Sequence, residues 1–392
     1  MKKALAIVAT LTTAAATAPA HAQSSVELYG LLDYGIQYSN NSGGGRLIGG
    51  NNGVKQGSRW GLRGREDLGG GDAAIFRIEN GFAPGTGAAQ QGGLAFGRQG
   101  YVGLSSTRYG TLTLGRQYDS IVNDVALIVT SMVTGGGNTA HIGDLDNLNN
   151  SKRVNNAIKY TTPSLGGLRA DIVYGVGGLA GDVTRNQIWS VGGNYHYGPV
   201  QMAAAYLNVR NPNQSFFTTA PTDVPGAKLN NMSANPAYSG YASAHTYQAI
   251  AAAANYVVGK LTLGVNYSNV QFKALGNTSS GANPLALSGT ATFNTGEVNL
   301  SYLYRPDVVL GAVYNITRGS GVGRIGSSNY QTWSLAYDYL LSKRTDVYLL
   351  GSYQIAHGMN SNGTAATAAI QVLSASSSNQ QAFVIAGIRH AF

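Results

Sequence analysis

From Ser25 to Phe392 the chain is built of segments in which apolar side chains recur at every second position. Val26, Leu28, Leu32, Tyr34, Ile36 and Tyr38 alternate with Glu27, Tyr29, Asp33 and Gln37. Trp60 and Leu62 alternate with Arg59, Gly61, Arg63 and Arg65. Leu168, Ala170, Ile172 and Tyr174 alternate with Arg169, Asp171 and Val173, and Trp333, Leu335, Tyr337 and Tyr339 with Thr332, Ser334, Ala336 and Asp338. A strand sends successive side chains to opposite faces, so each segment carries one apolar and one polar face. The chain is therefore expected to be all-β. Composition agrees: 54 of 392 residues are Gly, which would destabilise helix interiors throughout.

Beyond the first 22 positions no apolar run approaches the roughly 18 residues of a membrane-crossing helix. Charged residues are only 11%, and Lys plus Arg exceed Asp plus Glu by 26 to 17, a net charge of +9. With 0 Cys, neither a disulfide scaffold nor a Cys zinc site can form. Apolar content of 43% argues against disorder.

The start of the chain reads as an export signal. Lys2 and Lys3 precede an Ala-rich apolar stretch from Ala4 to Ala15, and Ala20-His21-Ala22 is an A-x-A site before Gln23. The expected organisation is a signal peptide over 1–22, followed by one β domain over 23–392. Cleavage would take away two lysines.

The connections constrain the fold further. Short ones lie near Asp67–Asp72, Ser105–Gly110, Pro163–Gly167, Tyr197–Pro199, Gly259, Tyr304–Pro306 and Leu341–Arg344. Long Gly-, Asn- and Ser-rich ones lie between them, at 39–57, 82–95, 118–152, 175–185, 208–245, 271–289, 317–328 and 355–379. Fifteen connections join sixteen strands. Short turns on one rim and long loops on the other are the layout of an outer-membrane barrel, whose strands need about 9–11 residues to cross. A soluble β-sandwich or β-helix is the competing reading. Greek-key connections do not alternate strictly between long and short. The 24 Tyr also suit aromatic girdles at two membrane interfaces.

Several stretches resemble a known family, the 16-stranded trimeric general porins in the form common in beta-proteobacteria. They include Val26-Glu27-Leu28-Tyr29-Gly30, Ser58 through Gly69 (SRWGLRGREDLG), Gly97 through Leu104 (GRQGYVGL) and Gly110 through Tyr118 (GTLTLGRQY). They continue with Arg153 through Thr161 (RVNNAIKYT), Leu341 through Thr345 (LSKRT) and Gly387 through Phe392 (GIRHAF). Together they span the chain in the family's order. The resemblance implies a 16-stranded antiparallel transmembrane β-barrel whose third long loop, here 118–152, folds into the lumen. It further implies a homotrimer set in outer-membrane lipid and lipopolysaccharide, passing small hydrophilic solutes and ions. The aromatic carboxy-terminal strand ending at Phe392 resembles the signal read by the barrel-assembly machinery. Phe392 would equally serve as a girdle aromatic.

Alternation turns Arg59, Arg63 and Arg65 toward the lumen, with Arg77 and Glu79, then Arg153, Asn155 and Lys159, then Arg169. For Arg98 both faces of the strand carry apolar residues, and only the resemblance places it: Arg59, Arg98 and Arg153 fall where the family has its basic constriction ladder. The candidate basic wall is Arg59, Arg98, Arg153, Arg77, Arg63 and Lys159. The infolded loop would set Asp119, Asp124, Asp144 and Asp146 against it. The loop carries no acid from Val125 to His141, so this acidic side reads as weak. The apolar run Val125–Val129 is read as the side of the loop packed on the inner wall.

An aqueous slot lined by fixed cations concentrates anions, and Arg or Lys rings line anion-selective pores. The expected function is an outer-membrane diffusion channel with mild anion preference; the alternative is a channel specific for phosphate or small organic anions.

Other chemistries find little support. Gly175-Val176-Gly177-Gly178-Leu179-Ala180 fits a dinucleotide fingerprint, but a loop follows where a helix is required. Ser190 and His196 share a face but stand about 20 Å apart along a strand, too far to pair. The remaining His residues lack metal-ligand spacing. No catalytic residue, metal or cofactor is expected. Export and the inward placement of Arg argue against nucleic acid as a partner.

Overall fold

The computed structural model describes residues 24–129, 135–218 and 229–392. The signal-peptide reading of 1–22 lies outside the described residues. Seventeen strands form one antiparallel sheet. They are β1 (Ser25–Ser42), β2 (Gly45–Asn52), β3 (Arg59–Gly69), β4 (Asp72–Gly81), β5 (Gln99–Ser106), β6 (Gly110–Gln117), β7 (Val154–Thr161), β8 (Leu168–Gly175) and β9 (Ile188–Tyr197). The others are β10 (Val200–Arg210), β11 (Thr246–Val258), β12 (Leu261–Leu275), β13 (Gly289–Arg305), β14 (Val308–Gly319), β15 (Ser328–Leu340), β16 (Thr345–Gly358) and β17 (Gln380–Ala391). Each pairs with its sequence neighbour, except that β2 and β3 both pair with β1. β1 then pairs with β17 from Leu31↔Ala391 to Ser39↔Phe383, which closes the barrel.

β2 and β3 share one edge of β1. β3 pairs with its first half, Ser25↔Arg65 to Leu31↔Arg59, and β2 with its second, Tyr34↔Asn52 to Ser42↔Gly45. They make a single stave, so the closed barrel has sixteen. The expected long loop over 39–57 is therefore corrected. Its Gly43-Gly44 pair, with φ of 64° and 101°, forms a two-residue hairpin turn. The chain then runs back along β1, leaves the sheet only at 53–58, and re-enters at Arg59. The seven short turns and the other seven long connections fall where alternation placed them.

The outer face is apolar and exposed: Leu28, Ile36, Val102, Ile172, Val265, Val298, Leu335 and Leu349 all point away from the lumen. The β1–β17 pairing closes the sheet on itself, as strands in hydrocarbon require; among the described strands only the short β2 is paired on one side alone, with β1. The inner face differs by sector. Along β10–β13 it carries Ala203, Ala205, Leu207, Tyr247, Ala249, Ala251, Val270, Phe272, Ala291 and Phe293, all buried. The infolded loop covers it with Ile121, Val125, Ala126, Val129, Ile142 and Leu145, and the 211–245 connection adds Phe216, Phe217, Met232, Tyr238 and Tyr241. The small Ala side chains let the helical turn Ile121–Val125 lie close on the wall. The 125–129 run is thus the packed side of that loop.

Candidate functional site

What remains open in the lumen is a cavity of about 1460 Å³. All six residues of the expected basic wall, Arg59, Arg63, Arg77, Arg98, Arg153 and Lys159, line it. β3 supplies Arg59 and Arg63, β4 Arg77 and β7 Lys159; Arg98 and Arg153 stand one residue before β5 and β7. Three aromatics hold these cations in position. The Tyr118 hydroxyl accepts Arg98 Nη2 at 3.0 Å and Arg153 Nη2 at 3.2 Å, and Arg153 lies over the same ring at 5.0 Å. Arg63 and Arg77 lie over the Tyr29 ring at 5.3 and 5.0 Å. Phe217 lies beneath Lys152 at 5.1 Å. Two acids sit within the wall: Glu79 accepts Arg98 Nε and the Tyr29 hydroxyl, both at 2.7 Å, and Glu27 accepts Arg63 Nε and Nη2 at 2.8 and 2.7 Å. Burial pushes the Tyr118 phenol up, but the charges of Arg98 and Arg153 outweigh it and hold the phenol below its ordinary range. Nε of Arg77 and Nε of Arg153 have no hydrogen-bond partner among the described residues, which leaves donor capacity on the wall.

Sequence reasoning missed Arg116, which lines the same cavity. Parity puts it on the lipid face with Leu112 and Leu114. Opposite it β7 carries one extra residue between Val154 and Ala157, with Asn156 at φ of 49°, and Gly115 takes φ of 136°; Arg116 enters the cavity at this irregularity. There its Nε donates to the Gly97 carbonyl at 2.9 Å, and its guanidinium also bonds Asn155. The local signal was the Gly before Arg116. Also missed was Lys55, in the 53–58 segment read as ordinary loop.

The four loop acids do not line the cavity, which corrects their expected placement opposite the basic wall. Each is buried and bound to the loop's own backbone or to the wall behind it. Asp119 accepts the amides of Ile121 and Val122 at 2.9 and 3.2 Å and Asn147 Nδ2 at 2.6 Å. Asp124 accepts Asn194 Nδ2 at 2.6 Å. Asp144 accepts the amides of Asn149 and Ser151 at 2.8 and 3.0 Å. Asp146 meets His141 Nδ1 at 2.5 Å and Ser268 Oγ at 2.6 Å. The reason is stoichiometric. A loop crossing the lumen without regular structure exposes backbone amides that its own carboxylates must satisfy. Burial pushes the Asp119 carboxyl up to about 6. Burial, with the charge of Asp171 behind it, pushes Asp124 up to about 7. Burial alone would lower His141, but Asp146 and Glu297 raise it to about 10, so this pair is an imidazolium–carboxylate.

Phe392 sits on the closing seam. Its amide and carbonyl both pair with Gly30, at 3.0 and 3.1 Å, and its ring is exposed on the outer face.

A family model described as Gram-negative porin matches residues 4–356. An outer membrane porin protein of Bordetella pertussis is 31% identical over 394 residues, covering 90% of this chain and 94% of that protein. The outer membrane porin protein 32 of Delftia acidovorans is 37% identical over 182 residues, covering 44% of this chain and 49% of that protein. Among solved structures, an anion-selective porin from Comamonas acidovorans superposes with a TM-score of 0.69 at 23% identity, covering 94% of this chain and all of that one.

Proposed function

The chain belongs to the Gram-negative porins and is an outer-membrane channel; on that premise we propose that its pore is open, water-filled and mildly anion-preferring, passing small hydrophilic solutes by diffusion. One observation carries the preference: the six expected basic side chains and Arg116 line the open cavity, while the loop acids are buried against backbone amides or side chains behind the loop. Low-dielectric walls focus that field onto the slot. Screening over about 8–10 Å at physiological salt confines its influence to the narrow zone. Arginine suits the role because its charge is permanent and its planar fork hands oxyanions onward. The solved relative titled an anion-selective porin supports the same reading. The deciding measurement is the zero-current potential of the channel in a planar bilayer under a KCl gradient. A sign reporting chloride as the more permeant ion is expected; potassium preference would overturn the assignment.

The working unit is a homotrimer in this reading, in keeping with a neighbour solved in trimer form. Loss of a high-mass band on heating before gel electrophoresis checks it. Residues 1–22 are proposed to be the removed leader, so sequencing of the mature chain should begin at Gln23. Phe392 is proposed as the assembly signal, and a chain carrying Phe392→Ala should reach the outer membrane in reduced amount.

A further inference from the structure

The segment that leaves the sheet between β2 and β3 is built into the pore. Its backbone is fastened to Asp33 of β1. The Gly53 amide donates to the Asp33 carbonyl at 2.9 Å, the Gln56 amide to Asp33 Oδ2 at 2.6 Å, and Ser58 Oγ to the same carbonyl at 3.1 Å. On its other side the Gly137 amide of the infolded loop donates to the Val54 carbonyl at 2.7 Å. The segment therefore joins the loop tip to the barrel wall beside Arg59, whose Nη1 donates to the Gly57 carbonyl at 3.1 Å.

At its apex stands Lys55, buried although its backbone and side chain border the open cavity. Its Nζ is 2.5 Å from Asp346 Oδ2, in direct contact with Asp338, and 5.6 Å from the centre of the Tyr348 ring. Arg389 holds the other oxygen of Asp346 at 2.8 Å and reaches Gln56 Oε1 at 2.8 Å. Tyr348 donates to Asp33. β1, β15 and β16 thus bring three carboxylates together, Asp33, Asp338 and Asp346. Two cations, Lys55 and Arg389, answer them.

We propose that Lys55 is a selectivity-determining residue: by screening the Asp338–Asp346 pair it hides the pore's acidic wall and leaves the arginines to set ion preference. This rests on the anion-preferring reading of the pore. The acidic side that charge balance leads one to seek on the infolded loop lies instead on β15 and β16. It is silent only while an ammonium covers it. Without Lys55, Arg389 alone would face the three carboxylates, of which Asp338 lines the same chamber as Arg59. A pair of uncovered carboxylates within a Debye length of the arginines would attract cations into the slot the arginines keep for anions.

The test is the chloride-to-potassium permeability ratio, from zero-current potentials of reconstituted full-length channels under a KCl gradient. Lys55→Met is expected to lower the ratio by about twofold or more, because three carboxylates are then answered by one guanidinium. Lys55→Arg should keep the wild-type ratio. The triple variant Lys55→Met, Asp338→Asn, Asp346→Asn should recover it, which a merely structural role for the lysine would not produce. A Lys55→Met channel that conducts with an unchanged ratio overturns the proposal. If Lys55→Met yields no channels, Asp338→Asn with Asp346→Asn decides: a ratio above wild type upholds the proposal and an unchanged ratio overturns it. Potassium preference in the wild-type channel would sink the anion reading itself, a result separable from the response to Lys55.

Discussion

Two sectors of the same barrel treat their inner faces in opposite ways. Along β10–β13 the inward residues are mainly Ala, Val, Leu and aromatics, with polar groups such as Ser268 and Glu297 buried against the loop, and loops seal them from water. Along β3–β7 the residues before the open chamber are Arg, Lys, Glu, Gln and Tyr. The outer faces of both sectors are alike, because both meet lipid. The infolded loop is the cause of the difference. It needs a dry surface to pack on, so one wall must be apolar on both faces. Its own polar groups turn inward on themselves. The pore is therefore a slot whose arginine ladder belongs to one wall.

The largest expected effect tests the dry sector. Phe272 is fully buried and touches the rings of Phe217, Tyr238, Tyr241, Tyr247 and Phe293. Phe272→Ala should cost about 3–5 kcal/mol in urea unfolding of the refolded protein. A loss below about 1 kcal/mol would show that the cluster is loosely packed and that the two sectors are less distinct. The wet sector should respond the other way. Arg153→Ala should move the zero-current potential toward zero while shifting the unfolding midpoint less than Phe272→Ala does. A variant with wild-type selectivity would remove Arg153 from the ladder.

Period two made the lipid face, the turns and most of the basic wall legible, because Arg59, Arg63, Arg77 and Lys159 stand on stretches in regular register where parity decides the face. It failed wherever the chain leaves the ladder. Arg116 reaches the lumen opposite a bulge in the partner strand β7, at Asn155-Asn156. Lys55 rides a six-residue departure between two strands that share one stave. The loop acids were found by composition, but their direction depends on amides that only the folded loop exposes. Charge counts locate acids in sequence; the local hydrogen-bond deficit determines where they point.

A pH titration sharpens the account of the loop. His141 is raised from its ordinary value to about 10 by Asp146 and Glu297, against the opposing effect of burial. A group whose folded-state value is raised lends stability that is complete below about 6.5, its unfolded value, and disappears as pH rises through the folded value. The unfolding free energy should therefore contain a component lost near pH 10. A His141→Gln chain should lack that component, which separates it from lysines and tyrosines titrating in the same range. Equal pH profiles for the two chains would mean that the pair is not the loop's electrostatic pin.

The smallest expected effect is the most discriminating for the acids. If Asp144 formed part of a cation-attracting wall, neutralising it would raise chloride preference. Its two carboxylate oxygens are instead occupied by the amides of Asn149 and Ser151, and it does not line the chamber. In Asp144→Asn the side-chain carbonyl can still accept one amide, but the amide nitrogen cannot accept the other, so one buried donor loses its partner. That costs about 1–3 kcal/mol. The zero-current potential should stay at the wild-type value while the unfolding midpoint falls modestly. A change in selectivity without a change in stability would put Asp144 back on the pore wall, and with it the symmetric arrangement of acids against bases that this barrel's slot replaces.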